Sequence, residues 1–539
     1  MKQKRKSITI ILILWISLLA FTLPVQAGYE LPKLEKTIEI PTSIKQVSKR
    51  LPSRFLATMG RAFTKYNLKD ELTLNVKNQG DKNICWACSS NSVFETTTNR
   101  AMQSNYIFSD DKLDYEVNQV RGKTTEQGGN PFMAYAYYTS GNSPVTVTQQ
   151  KTDLELDGYV MFPMIYKAKV EGKTSYSDQP LYLNGNLYTE DQVNLVRQQM
   201  KEHIQTYGAV TAAMYASDGQ YYNNDLTAYY CDAAMAIPDH QVTIIGWDDN
   251  YAVENFNENH RPTKPGAYII MNSHGTDVYD KGFLAISYED SLIESYCLGI
   301  TGVSKTKEQD ETLYQYDELG INSNVASASD AYGANIFERN TQDQEQLTEI
   351  KMATLGAGTY ELYVNPNNED LTQLQKVKTI TVGNAGYQTI PLTTPLQLTG
   401  QKFVIGIKAI KGNLDSYAQI GVETKAGEFW KNATSNQGES YLSMDGQYWE
   451  DLKELGNEIN CPDANICLKA VTTKGVVQII GDINQDGQLD LRDLSILVTH
   501  LSGGQTLTGE KLQAADVTQD GEVDTRDLSK IVLLLAESV

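Results

Sequence analysis

The sequence predicts a multidomain protein with an α+β domain, an all-β sandwich and a small all-α module at its carboxyl end. In the first 303 residues helical periodicity comes first and apolar β-branched runs follow, which favours an α+β domain over alternating βαβ units. Residues 310–474 contain short alternating runs separated by turn residues. After residue 476 an acidic loop occurs twice, each time before an apolar helical segment. With 539 residues the chain is also too long for a single core.

Charge and cysteine content exclude two classes of protein. The formal net charge is −21, which argues against nucleic acid as a partner because such partners require basic surface. The six cysteines are too few for a scaffold held together by disulfides. Cys461 and Cys467 are close enough to pair, but two free thiols are equally compatible with the sequence.

The amino end has the features of a secretory signal peptide, predicted for residues 1–27. An apolar run over 8–23 follows four basic residues, and Val25-Gln26-Ala27 forms a small-residue cleavage site. An uncleaved membrane anchor is the alternative, but the run is short for a span of ~20 residues. The mature protein is therefore expected to be exported and soluble. Residues 28–50 are charged with little periodicity, and we interpret them as a pro-segment or tether.

The α+β domain is predicted for residues 51–303. Helices are expected over 86–102 and 192–207, the second of them amphipathic. Strands are expected at 208–214, 241–246 and 266–271, where the runs are apolar and rich in β-branched residues.

One cysteine in this domain has the surroundings of a nucleophile. Cys85 lies at the start of the first predicted helix, six residues after Gln79 and directly before Trp86. A thiol at a helix amino terminus is favoured as the thiolate. Such a nucleophile needs a base and a group that orients it. His240 lies at the mouth of one predicted strand and Asn272 ends the next, so both can be aimed by rigid backbone.

At Gln79, Cys85, His240 and Asn272, residues 51–303 resemble the papain-like cysteine peptidases. The resemblance implies that Cys85 attacks a peptide carbonyl and that His240 is first its ion-pair partner and then the acid. It further implies that Asn272 fixes the imidazole, and that the Gln79 amide and the Cys85 backbone N–H hold the oxyanion. No cofactor is expected for catalysis.

The same resemblance assigns substrate contacts and shows departures. Gly128 and Gly129 resemble the family's glycine pair, against which a substrate backbone lies, and Trp86 is also expected beside the substrate. Asn83-Ile84 replaces the usual Gly-Ser and is expected to line the cleft, and Lys82 stands where a disulfide cysteine is common. His274 replaces a tryptophan that shields the His–Asn hydrogen bond. Outside the site, we expect Cys88 to be structural and His203 to lie on the surface.

The second domain, residues 310–474, is predicted as a sandwich from runs such as 359–364, 377–382 and 402–407. With Ala334–Glu338, the first of these runs resembles the lectin-like sandwich appended to some bacterial papain-like peptidases. A glycan is therefore one candidate partner. A spacer or a domain that stabilises its neighbour is an equally weighted interpretation.

The tail, residues 476–539, carries the two acidic loops, 34 residues apart. Their alternating oxygen donors around a glycine turn are typical of Ca²⁺ sites, and two ions are expected. The candidate ligands, with backbone carbonyls at 488 and 522, are Asp482, Asn484, Asp486, Gln488, Asp490 and Asp493, then Asp516, Thr518, Asp520, Glu522, Asp524 and Asp527. Aspartate at the twelfth position, with a helix only after each loop, resembles the dockerin module. That resemblance implies a cohesin partner on a scaffold protein, contacted through Leu491, Arg492, Thr525 and Arg526.

Together these features predict a secreted cysteine endopeptidase, held by a calcium-dependent dockerin to an extracellular or cell-surface scaffold of the cellulosome type. The alternative is a catalytically weak adhesin or binding protein that uses the peptidase fold as a frame. A transglutaminase also uses Cys and His, but its third group is normally Asp, so Asn272 and Gln79 favour the peptidase.

Overall fold

The computed structural model describes residues 63–170, 173–178, 186–234, 236–305, 311–339, 344–412, 417–459, 461–474, 480–486, 488–518 and 520–537. The predicted signal peptide and pro-segment lie outside the described residues, as do residues 51–62. Within the described ranges, no helix combines the length and the apolar character needed to cross a membrane.

The first domain places its helices early in the chain and most of its strands later, as an α+β domain should. Its main helices are α1 Cys85–Met102, α2 Asp110–Arg121, α3 Pro131–Thr139 and α4 Glu190–Thr206. Its strands are β1 Lys65–Asn67, β2 Leu154–Met161, β3 Tyr166–Val170, β4 Lys173–Ser177, β5 Leu187–Tyr188, β6 Val210–Met214, β7 Ala228–Tyr229, β8 His240–Asp248, β9 Ala267–Met271, β10 Phe283–Ser287 and β11 Leu298–Lys305. Both predicted helices and all three predicted strands are found, with ends that differ from the prediction by at most two residues.

One expectation in this domain is wrong. His203 was expected on the surface because it follows Lys201 and Glu202, yet it is only 5% exposed. Its ring packs edge-on against Phe162 and beside Tyr207. Burial lowers the pKa of the His203 imidazole to about 3. A neutral histidine can therefore fill this part of the core, and the charged flanking residues were a poor guide to its position.

The second domain is β-rich. Its strands are β12 Glu311–Tyr314, β13 Ser323–Ser327, β14 Ala331–Glu338, β15 Glu345–Thr354, β16 Gly358–Asn365, β17 Gln375–Val382, β18 Ala385–Leu398, β19 Lys402–Ile410, β20 Ala418–Glu423, β21 Ser440–Ser443, β22 Glu450–Asp451, β23 Asn465–Ile466 and β24 Leu468–Lys474. Alternation is visible in β16, where Tyr360, Leu362 and Val364 are buried. One helix, α5 Leu452–Glu458, interrupts the predicted all-β pattern. Cys461 and Cys467 are both buried and free, so the two thiols are not bridged.

The two domains share one large sheet, which the sequence did not predict. Its strand order is β12-β24-β15-β18-β2-β11-β6-β8-β9-β10-β7, and β18 pairs antiparallel with β2 at the domain boundary. Gly386 of β18 has φ 150°, and a Cβ there would lie 2.1 Å from the backbone oxygen of Tyr159. Only glycine permits this approach of the two strands. Tyr387 then stacks on Tyr159 with ring centroids 5.9 Å apart.

The tail forms a small helical unit around its own apolar cluster. Its helices are α6 Leu491–Leu501, α7 Glu510–Ala515 and α8 Thr525–Glu537. Ile483, Leu497, Leu507 and Ile531 are among the residues buried between them. The two helices predicted after the acidic loops are α6 and α8, whereas α7 was not predicted because it is short.

Candidate active site

Helix α1 begins at Cys85, so the thiol has the position that the sequence predicts. The residue before it, Ile84, supplies no side-chain cap, so no capping side chain competes for the first N–H groups of the helix. The half-buried thiol has a pKa raised to about 11, chiefly by burial. Backbone N–H groups of Gln241 and Trp86 donate to the sulfur and act in the opposite direction. Burial thus outweighs the effect expected from the helix terminus, so a thiolate at neutral pH requires a cationic partner.

Helix α1 lies directly on strand β8, which brings Cys85 to the residues around His240. The Ser89 hydroxyl donates to the backbone oxygen of Val242 at 2.7 Å, and Thr243 donates to Ser89 at 3.1 Å. The N–H of Gln241, the residue after His240, contacts the Cys85 sulfur. Two residues 155 positions apart in the sequence therefore lie at one end of the sheet.

His240 and Asn272 come together because β8 and β9 are paired neighbours. The Nε2 atom of His240 lies 2.7 Å from the Oδ1 atom of Asn272. Because an amide oxygen only accepts, Nε2 is the donor and Nδ1 is the free ring nitrogen. Burial lowers the pKa of His240, while the hydrogen bond to Asn272 acts against that shift. The pair holds the imidazole in one orientation and one tautomer.

Gln79 is attached to the same end of β9. Its backbone N–H donates to the Ser273 oxygen at 2.8 Å, and the Ser273 hydroxyl donates to Gln79 Oε1 at 2.6 Å. The Gln79 amide nitrogen donates one hydrogen to the Lys82 oxygen at 2.9 Å, which leaves its second hydrogen available. Sequence reasoning missed the orienting role of Ser273, although its position directly after Asn272 was a usable signal.

His274 takes the place of the expected tryptophan and stacks on His240, with ring centroids 5.1 Å apart and an interplanar angle of 18°. Its Nδ1 lies 3.0 Å from the Tyr279 hydroxyl, and the centroids of the two rings are 6.0 Å apart. Burial, followed by the proximity of His240, lowers the pKa of His274. A neutral but polar ring therefore covers the imidazole.

Residues 122–130 pack against Asn83 and Trp86, which flank Cys85 in the sequence; we call this segment the glycine loop. Gly128 has φ 61°, and a Cβ on Gly129 would lie 2.5 Å from the Trp86 ring. Trp86 is fully buried, so its predicted contact with substrate is wrong. Its ring instead packs against the backbone of Gly129. Ile84 is likewise buried and does not line the cleft, whereas the exposed Asn83 donates to the Glu126 oxygen at 3.1 Å.

The two acidic loops of the tail close in the same way. In the first, the Asp493 carboxylate accepts the N–H groups of Asn484 at 3.0 Å and Asp490 at 2.9 Å. In the second, the Asp527 carboxylate accepts the N–H groups of Thr518 at 2.9 Å and Asp524 at 2.8 Å. Each loop thus folds back onto its twelfth residue.

An all-oxygen donor set at alternate positions fits a hard cation such as Ca²⁺. The carboxylates also have other partners: Arg492 pairs with Asp486 at 2.8 Å and with Asp490 at 2.6 Å. Arg526 pairs with the corresponding acids of the second loop. In the part of the chain that the structure describes, no group of three or more His, Cys, Asp or Glu side chains is gathered as a metal site. The oxygen donors are therefore present in each loop, and the arginine at its eleventh position pairs with some of them.

Of the predicted partner residues, Leu491 is 72% exposed, which leaves an apolar side chain on the surface. Arg492 and Arg526 are exposed as well but are turned toward their own loops. Thr525 begins α8 as Leu491 begins α6, so the two candidate faces are equivalent in the repeat.

Comparison with known proteins extends these observations. The model of the papain family of cysteine proteases matches residues 64–304, that of the lectin-like domain matches residues 313–472, and that of the type I dockerin domain matches residues 480–533. No curated protein matches the chain.

Two solved structures are similar in fold over both of the larger domains. One contains the cysteine protease and lectin-like domains of Cwp84, a surface layer associated protein of Clostridium difficile. It is 25% identical, with a TM-score of 0.63, and the match covers 77% of this chain and 90% of that one. The other is a variant of the clostridial cysteine protease Cwp84 after propeptide cleavage. It is also 25% identical, with a TM-score of 0.63, and the match covers 76% of this chain and 99% of that one. The chain is therefore a cysteine peptidase that combines a papain-family protease domain with a lectin-like domain and a type I dockerin.

Proposed function

We propose that this protein is a secreted cysteine endopeptidase that hydrolyses peptide bonds through Cys85, His240 and Asn272. The observation that supports this most strongly is the hydrogen-bonded His240–Asn272 pair, placed where the residue after His240 contacts the Cys85 sulfur. Burial favours the neutral Cys85 thiol. The reactive thiolate therefore forms when the thiol gives its proton to Nδ1 of His240.

The reaction then has two stages. The Cys85 thiolate bonds to the carbonyl carbon of the substrate, and the carbonyl electrons move to oxygen, where the Gln79 amide and the Cys85 N–H stabilise the charge. The imidazolium of His240 gives its proton to the leaving amine as the C–N bond breaks, which leaves a thioester. Water attacks the thioester, His240 accepts its proton, and breakage of the C–S bond regenerates the thiolate.

A peptide-bound epoxide that alkylates thiolates tests this function. We expect complete loss of hydrolysis together with one covalent adduct at Cys85, located by peptide mass spectrometry. The other five cysteines serve as internal controls because all of them are buried. Hydrolysis that continues after full alkylation of Cys85 would contradict the proposal. Absence of both hydrolysis and labelling would favour the adhesin alternative.

The oxyanion assignment yields a separate prediction. Replacing Gln79 by alanine should lower kcat by about 10²–10³-fold, as expected for loss of one oxyanion donor. Replacing Ser273 by alanine should lower kcat by only about fivefold, since it removes a single orienting hydrogen bond worth ~1 kcal/mol. Steady-state kinetics on one peptide substrate measure both changes. Equal losses in the two variants would show that Gln79 does not contact the oxyanion.

For the tail, we propose that two Ca²⁺ ions are held by the carboxylate and amide side chains of the loops and the Thr518 hydroxyl, with carbonyls at 488 and 522. Bound calcium would fix each loop relative to the helix that follows it. Leu491, Arg492, Thr525 and Arg526 then present the surface for a cohesin module. This attachment, together with export through residues 1–27, would place the peptidase outside the cell or on a scaffold at its surface. A glycan ligand for the β-rich domain stays a prediction.

A further inference from the structure

One loop of the β-rich domain reaches into the protease domain. Residues 425–433, which we call the bracing loop, lie in the connection from β20 to β21. They turn back on themselves through a hydrogen bond from the Trp430 N–H to the Ala426 oxygen at 3.2 Å. Phe429, Trp430 and Ala433 are at most 4% exposed and belong to the apolar cluster of the protease domain, not to that of the sandwich. Three side chains of the bracing loop thus pack in the apolar cluster that contains the protease core.

The bracing loop contacts the base of the glycine loop through α2. The buried Arg121, the last residue of α2, donates to the Phe429 oxygen at 2.7 Å and lies over the Trp430 ring. Asn432 donates to the Val120 oxygen at 3.2 Å. A Cβ on Gly122 would lie 2.8 Å from the amide nitrogen of Asn432, so the two segments are in close contact.

Further along, Lys123 connects the bracing loop to the glycine pair. Its ammonium group lies 5.8 Å from the centroids of both the Trp86 and the Phe429 rings. The same group donates to the Gly128 oxygen and, at 2.5 Å, to the Asn118 side chain. The cation thus sits between a ring of the nucleophile helix and a ring of the β-rich domain while it holds the carbonyl of Gly128.

Glu428 makes the direct contact near the tip of the glycine loop. The Gln127 amide donates to the Glu428 carboxylate at 2.9 Å, and Lys431 donates to the same oxygen at 2.5 Å. Gln127 directly precedes Gly128. On the opposite side, Asn83 and Trp86 hold the loop to the cysteine segment. The glycine loop is therefore held from both domains, and Glu428 supplies the half-buried, accessible part of the contact.

We propose that the bracing loop of the β-rich domain positions the glycine loop for substrate, with Glu428 as a positioning residue that lowers KM. This inference rests on the proposed function. A loop that is already ordered loses less conformational entropy when a substrate backbone binds to it. The β-rich domain thereby forms one side of the support of the substrate cleft, whatever ligand it binds elsewhere.

The test compares Glu428→Ala with Glu428→Gln in the full chain, because glutamine keeps an oxygen that can accept from Gln127. We expect Glu428→Ala to raise KM by about fivefold with kcat changed less than twofold, and Glu428→Gln to restore KM to within twofold of wild type. Glu369→Ala is the matched control, since Glu369 pairs with Lys402 within the β-rich domain. An unchanged KM in Glu428→Ala, or an equal rise in Glu369→Ala, would overturn the proposal.

Two further measurements separate positioning from damage to the nucleophile. The rate at which iodoacetamide alkylates Cys85 should be unchanged in Glu428→Ala, because that small reagent does not need the glycine loop. Amide hydrogen exchange over residues 122–130 should become faster in Glu428→Ala and stay unchanged in Glu369→Ala. Unchanged exchange there would overturn the inference even if the wild-type chain hydrolyses no peptide, whereas failed hydrolysis alone would count against the proposed function.

Discussion

Replacing Cys85 by alanine is expected to lower kcat for peptide hydrolysis by ~10⁴-fold or more, because the nucleophile and its covalent intermediate are lost. Cys88→Ala is the matched control. Cys88 lies three residues further along the same helix, is 1% exposed and has a pKa raised well above the usual value by burial. We expect that variant to keep its activity and to lose only a little stability. Substantial hydrolysis by Cys85→Ala would contradict the assignment of the nucleophile.

Replacing His240 by alanine should change how the reactivity of the Cys85 thiol depends on pH. Burial raises the pKa of the Cys85 thiol to about 11, so without the imidazole to accept its proton the thiol is expected to stay neutral across the physiological range. Alkylation of Cys85 by iodoacetamide should therefore be slow at pH 7 and rise about tenfold per pH unit up to that pKa. In the wild type, the ion pair with His240 should keep alkylation fast at pH 7. Equal rates in the two proteins at pH 7 would show that His240 does not activate the thiol.

Removal of calcium is expected to abolish cohesin binding. Without the ions, the carboxylates that would bind them repel one another, and Arg492 and Arg526 each neutralise only part of that charge. We expect a loss of helical circular dichroism and of binding to an immobilised cohesin when a chelator is added to the full chain. Both signals should return with Ca²⁺, while peptide hydrolysis stays constant because no catalytic residue lies in the tail.

Variants within the repeat show which loop responds. Asp486 and Asp520 occupy equivalent positions in the two loops. Asp486→Asn and Asp520→Asn should therefore each weaken one calcium site. In a calorimetric titration, the double variant should show binding at neither site. Lys511→Gln on α7 changes an exposed charge outside the loops and should leave calcium binding intact. Cohesin binding that persists in chelator, or in the double variant, would rule out this assignment of the ligands.

Much of the fold could be predicted because its elements have strong local patterns. The run from Val242 to Trp247 is mostly apolar and rich in β-branched residues, and it lies in a buried strand. Tyr360, Leu362 and Val364 alternate with partly exposed residues, and they lie on one face of β16. The expectation for His203 failed because two charged neighbours say little about which side of a helix is buried.

The sequence alone determined the fold class and the order of the three domains, since helical and strand periodicity and the repeated acidic loops are local properties of the chain. It also singled out Gln79, Cys85, His240 and Asn272 as candidates, whose catalytic roles stay predictions. Only the tertiary structure revealed the shared sheet, the stacked His274, and the contacts of Ser273, Lys123 and Glu428. These features depend on contacts between distant segments, such as the one from Gln127 to Glu428 across 301 residues. Neither periodicity nor a short motif can predict such a contact, because both describe only residues that are near one another in the sequence. The two segments meet only when both domains have folded.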